Sequence, residues 1–156
     1  MNIRDLFTII SAYIRGFWKV RIFEIDKNLY QSGHLHGTNS LEALREHSIL
    51  HIVDLEGGID EIANEMVWYR YWKIYDGDLP DLIELWKVAR EVQNMTELDN
   101  RVLVHCQGGC NRASLVNGCV LYLRGYRGRA IVKKIRAGRP GALTNRVFQT
   151  YLESLV

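Results

Sequence analysis

The chain is poor in proline and cysteine, with two of the first and three of the second in 156 residues. So few prolines, with no low-complexity run, exclude a proline-rich linker or a disordered tail. An odd number of cysteines without disulfide spacing excludes a disulfide scaffold and points to a reducing compartment, the cytoplasm. No apolar run approaches the ~20 residues that cross a bilayer, so no transmembrane segment is expected. Residues 1–20 contain no charge-free stretch longer than Leu6–Ile14 and lack the small-residue cleavage site of a secretory leader. No internal repeat is present, which excludes solenoids. Acid is scarce in one region. From Gln107 to the C-terminus a single acid, Glu153, stands against nine Lys and Arg, although the whole chain carries only +2. That imbalance reads either as a solvated face or as a field that attracts anions.

What remains is an ordinary globular composition, 47 % hydrophobic and 24 % charged. Leu6, Ile9, Ile10, Tyr13, Ile14 and Phe17 share one helical face. They predict an amphipathic helix over residues 1–20, packed on a single domain over residues 21–156. A membrane-surface or partner-binding helix is the other reading of that face. Strands are expected at 21–30, 49–55, 68–75 and 101–105, the first as an edge strand. Helices are expected at 40–46, 59–67 and 82–95, from Arg112 onward, and twice more before the C-terminus. Thr38, Asn39 or Ser40 can cap the first of these, and Thr144 or Asn145 the last. Gln31–Asn39 reads as a loop. Its His34 and His36 find no third ligand at metal spacing, so no metal site is assigned.

One stretch organises the rest: Arg101–Ser114, RVLVHCQGGCNRAS. Its apolar, β-branched start suits a strand covered on both faces. Cys106 opens a loop that closes on Arg112, and Gln107, Gly108, Gly109, Cys110 and Asn111 lie between. Two glycines let successive backbone N–H groups turn inward, which makes an anion-binding nest. The nest lies at a helix N-terminus, where unpaired donors and the dipole favour negative charge. Arg112 adds a planar fork that matches phosphate oxygens in pairs. A thiol in such a field favours the thiolate, the form that attacks. The stretch therefore offers a nucleophile, Cys106, and a cradle for a tetrahedral dianion.

His105 to Arg112 resembles the His-Cys-x5-Arg signature loop of cysteine-dependent phosphatases, in particular the compact dual-specificity branch. The resemblance implies an α/β fold: a mostly parallel, mixed sheet of four to five strands with helices on both faces. It also implies a general acid on a loop upstream. Asp76, before Gly77 in the turn Tyr75–Asp81, takes that role, with Asp78 as the alternative. Asp78 and Asp81 flank Pro80 and suit helix capping. Asn145 lies near the place where the family offers a side chain that positions a water; the other reading is a helix cap. His105 is expected to orient the loop by hydrogen bonds, and His34 or His36 to line the cleft.

The implied activity is phosphomonoester hydrolysis through a phosphocysteine, on phosphotyrosine and phosphoserine/threonine of protein partners, without a cofactor. Two alternatives stand beside it. Asn111-Arg112 resembles the end of the loop in RNA 5′-phosphatases, so a nucleic-acid partner is the first. A catalytically silent phosphobinding module is the second. The family usually has Ser or Thr after the signature Arg, whereas this chain has Ala113. Ser114 follows, rotated about 100° around a helix, so slow phosphoenzyme hydrolysis is expected. Cys110 is expected to fill space rather than to bridge Cys106, and Cys119 to lie in the helix core.

Overall fold

The structure is a computed structural model that describes residues 20–156. The expected N-terminal helix lies, apart from Val20, outside the described residues. Five strands form one sheet: β1 (Ile22–Asp26), β2 (Leu29–Ser32), β3 (His51–Asp54), β4 (Trp68–Tyr71) and β5 (Val102–His105). Their order is β1-β2-β5-β3-β4. Only β1 and β2 run antiparallel; β2, β5, β3 and β4 pair in parallel. The mixed, mostly parallel sheet expected above is therefore present.

β5 occupies the centre, paired on both sides, and each of its residues is fully buried. Its side chains alternate between two cores. Leu103 faces α1 (Gly37–Glu46) and a 3-10 turn (Glu61–Glu65), with Ile52, Leu44 and Ile62. Val102 and Val104 face the other side. That side carries α2 (Leu82–Glu97), α3 (Arg112–Leu123), α4 (Arg129–Gly138) and α5 (Arg146–Glu153). Helices thus cover both faces of the sheet.

The expected strand over residues 21–30 is in fact the first strand of a hairpin and the start of the second. The chain reverses at Lys27-Asn28, where Asn28 takes φ of 59°. Neither glycine nor proline marks this turn; asparagine tolerates the left-handed region better than most residues. The correction matters, because Gln31 and Ser32 are buried strand residues beside β5 rather than loop. α1 likewise begins earlier than expected, at Gly37. None of Thr38, Asn39 and Ser40 is its N-cap; that position is His36, without a side-chain cap bond. Instead Ser40 Oγ accepts from the His36 N–H at 2.5 Å.

α3 is the central helix. Every residue from Ala113 to Leu121 is buried, not only those at helical spacing. The sheet lies on one side and other helices on the rest, which an all-round apolar helix requires. Close approach to α5 needs glycine: a Cβ on Gly118 would stand 2.5 Å from the Leu152 methyls. Cys119 is fully buried here, and burial pushes its thiol pKa well up.

Candidate active site

Cys106 directly follows β5, and α3 starts at Arg112, so the signature loop joins the central strand to the central helix. What shapes it is where its carbonyls go. The Gln107 carbonyl accepts from the His34 N–H at 3.0 Å. Gly108 O accepts from Cys110 Sγ at 3.3 Å. Gly109 O accepts from Gln31 Nε2 at 2.9 Å and Arg139 Nε at 3.2 Å. Cys110 O accepts from Ser114 Oγ at 2.7 Å and the Leu143 N–H at 2.9 Å. Asn111 O takes the Leu115 N–H at 2.9 Å, the first bond of α3.

Four of these five successive carbonyls are thus tied to structure outside the loop, and Gly108 O to the Cys110 thiol within it. Among the described residues, none of the N–H groups of 107–111 donates to a protein acceptor. Carbonyls turned outward leave successive N–H groups free for one anion, as in a nest. Gly109 makes the turn with φ of +61°, and a Cβ there would meet Gly33 N at 2.5 Å. Only glycine fits that approach.

Arg112 reaches back under the sheet's C-terminal edge. Its Nη1 donates to the carbonyls of Leu55, at 3.4 Å, and Ile74, at 3.3 Å. Its Nε is buried with no partner. A buried unpaired donor is costly, and an anion's oxygen is the group that would satisfy it. Cys106 is 2 % exposed, and its N–H meets Ser32 O at 3.4 Å.

The loop carrying Asp76 meets the signature loop directly. Asp76 Oδ2 accepts from Asn111 Nδ2 at 2.9 Å, and Oδ1 from Asn145 Nδ2 at 2.8 Å. Among the described residues Asp78 makes no such contact, whereas Asp81 caps α2 by accepting from the Glu84 N–H at 2.8 Å. Asn145 also caps α5, its Oδ1 taking the N–H groups of Val147 and Phe148. Both readings of Asn145 therefore meet in one side chain: its oxygen caps and its nitrogen faces Asp76.

Ser114 lies outside the bowl. It bonds Cys110 O and accepts from Gln31 Nε2 at 2.7 Å. Cys110 Sγ stands on the carbonyl side too, 3.2 Å from Arg139 Nη2. His34 and His36 stand in edge contact, 4.4 Å between ring centroids.

His105 behaves unlike the expectation. Its ring makes no bond to the loop. It is fully buried and faces three carboxylates: Nε2 lies 2.8 Å from Asp60 Oδ2 and 3.5 Å from Asp54 Oδ1, and Nδ1 lies 3.5 Å from Glu56 Oε2. The 2.8 Å approach is too far off line to be a hydrogen bond. Asp54, Glu56 and His105 bring ligand-type atoms within 4.8 Å of one another. The carboxylates are already engaged. Tyr69 OH serves Asp54 at 2.5 Å and Asp60 at 2.9 Å, and His34 Nδ1 meets Glu56 at 2.6 Å. Burial raises the Asp54 pKa, against the opposing pull of Tyr69 and His105. Burial likewise pushes the Tyr69 hydroxyl well up, reinforced by its bond to Asp54.

Residues 51–129, from β3 to the start of α4, match the family described as Cyclin-dependent kinase inhibitor 3 (CDKN3). The chain belongs to this family. It is thereby a compact dual-specificity phosphatase type within the cysteine-dependent tyrosine phosphatase superfamily. It is similar to rat Cyclin-dependent kinase inhibitor 3, 35 % identical over 48 residues, covering 31 % of this chain and 23 % of that protein. It is also similar to mouse Protein phosphatase Slingshot homolog 3, 28 % identical over 95 residues, 60 % of this chain and 14 % of that one. The chain thus spans less than a quarter of the curated relatives it matches. In fold, it resembles human DUSP28, with a TM-score of 0.74 at 17 % identity over 85 % of this chain and 90 % of that one. Human tyrosine phosphatase-like serine/threonine/tyrosine-interacting protein is similar too, with a TM-score of 0.71 at 20 % identity over 85 % and 93 %.

Three participants of this CDKN3-family site were not visible in the sequence. Gln31 reads as loop in the sequence, and its bonds to Gly109 O and Ser114 Oγ fix the bowl from β2. Arg139 carries no motif of its own, and it holds Gly109 O. Asp60 gave no signal, since it approaches His105 across 45 residues of chain.

Proposed function

We propose that this chain hydrolyses phosphomonoesters of phosphotyrosine and phosphoserine/threonine in proteins through a phosphocysteine. The observation that supports the reading is the set of five bonded carbonyls, four of them tied outside the loop, with Arg112 Nε unpaired on the same loop. The phosphoryl oxygens dock on the N–H groups of 107–112 and on Arg112. The Cys106 thiolate attacks phosphorus in line with the ester oxygen, and protonated Asp76 delivers its proton to that oxygen as the bond breaks. A water then attacks phosphorus, Asp76 carboxylate takes the water's proton, and the thiolate departs. Amides and guanidinium offset the charge on the phosphoryl group, so no step draws on a metal.

Protein substrates are supported by the likeness to the Slingshot relative, named as a protein phosphatase. The shape of the neighbourhood adds to this. A cavity of about 640 Å³ runs along His34, His36, Glu56, Asp60 and Glu61. Its three carboxylates would repel the extra charges of a triphosphate end, which counts against an RNA 5′-phosphatase.

Turnover of p-nitrophenyl phosphate, a tyrosine phosphopeptide, a serine phosphopeptide and a triphosphorylated RNA tests the proposal. Both peptides are expected to be hydrolysed and the RNA to be poor. Cys106→Ser is expected to lose about 10³-fold or more. Preference for the RNA would reverse the substrate reading, and no turnover of any would leave a phosphobinding module.

A further inference from the structure

The contacts of Asp76 say more than its place. Both of its oxygens face amide donors, one from the phosphate bowl and one from the cap of α5. Neither amide is free to flip. Asn145 Oδ1 accepts from Val147 N–H at 2.9 Å, a group that can only donate. Asn111 Oδ1 accepts from Asn145 N–H at 2.9 Å and from Thr144 Oγ1 at 3.2 Å. With both oxygens committed to donors, both NH₂ groups must point at Asp76. Asn145 Nδ2 also reaches Gly77 O at 3.0 Å, so it grips the backbone next to the carboxylate.

A pair of donors, one per oxygen, complements a carboxylate that has given up its proton. In the reaction above, that is Asp76 after the ester oxygen has left. We propose that Asn111 and Asn145 are positioning residues that aim ionised Asp76 at the water of the second step. In that step the water oxygen bonds to phosphorus, the sulfur–phosphorus bond breaks, and Asp76 takes the water's proton. Asn111 thereby has two duties: its backbone faces the phosphoryl group and its side chain carries the base. Ala113 makes the second duty weigh more, because no hydroxyl stands there to help the thiolate leave.

The inference rests on the reading of Asp76 as acid and base, and the experiment separates the two. Burst and steady-state kinetics would be measured with p-nitrophenyl phosphate, whose good leaving group needs little protonation, and with an alkyl phosphate. Asn111→Ala and Asn145→Ser are the variants; serine keeps a cap on α5 but is too short to reach Asp76. Each is expected to lower kcat on p-nitrophenyl phosphate about tenfold. KM should fall in parallel, kcat/KM should stay within about twofold, and a burst of nitrophenolate should accompany the first turnover. Both variants losing kcat and kcat/KM together, or neither changing kcat, would overturn the inference. Asp76→Asn is expected to lose kcat/KM on the alkyl phosphate. Its failure to do so would remove the acid reading itself, whatever the asparagine variants show.

Discussion

Gly109 is the residue with least freedom to change. Its backbone is left-handed, and an added Cβ would stand 2.5 Å from Gly33 N, which leaves no room for a methyl group. Gly109→Ala should cost about 2–3 kcal/mol of stability or open the bowl, read as a lower melting temperature together with weaker phosphate binding. Ala113 is the opposite case, a residue whose smallness has a chemical cost. Ala113→Ser returns the hydroxyl that the family resemblance leads one to expect. If hydrolysis of the phosphoenzyme limits the native chain, kcat rises several-fold and the nitrophenolate burst shrinks; an unchanged kcat would place the slow step elsewhere. Asn111 could be read as a bowl residue from its position between Cys106 and Arg112. Its side-chain role could not, because that role exists only once the loops at 76 and 145 arrive beside it.

At the level of elements, the strand–loop–helix around Cys106 was legible because its determinants are consecutive: β-branched residues, two glycines, then an apolar helix. The β1–β2 hairpin was not, because Lys27-Asn28 turns without the residues that normally signal a turn. The turn is instead secured from a distance. Asp26 accepts from Arg124 Nη1 at 3.0 Å and faces Lys134 Nζ at 3.3 Å, tying β1 to the C-cap of α3 and the middle of α4. Burial alone would raise the Asp26 pKa; the two cations more than offset it and hold the carboxyl below 3.8. A lowered folded-state pKa adds stability above the ordinary carboxylate range, and that stability is lost as acid protonates the group. Asp26→Asn should therefore cost about 0.5–1 kcal/mol at neutral pH. The gap to the native chain should close as pH falls below about 4. Denaturant unfolding at pH 7 and pH 3 measures both ends, and a gap independent of pH would refute the assignment. The carboxylates around His105 escaped sequence reading for the same reason as the hairpin. Asp54 and Glu56 look like ordinary strand-end acids and Asp60 like a helix-start acid until parallel pairing of β3 with β5 sets them against one imidazole.

Across the whole molecule, charge divides in a way that net charge hides. The C-terminal third is basic, while the cavity beside the bowl is walled by acids. Such a division favours a compact monoanionic or dianionic group over a long polyanion. Raising ionic strength should therefore help a triphosphorylated RNA relative to a phosphopeptide, read as the ratio of their kcat/KM values; a ratio insensitive to salt would count against the acidic wall. The bowl itself is held from remote parts of the chain: Gln31 on β2, Arg139 past α4, Leu143 ahead of α5. No single segment can loosen without letting go of a carbonyl that points the amides inward. Warming the protein should consequently extinguish the proposed turnover and near-ultraviolet ellipticity at one and the same temperature, with no cooler interval in which an intact fold carries a dead centre.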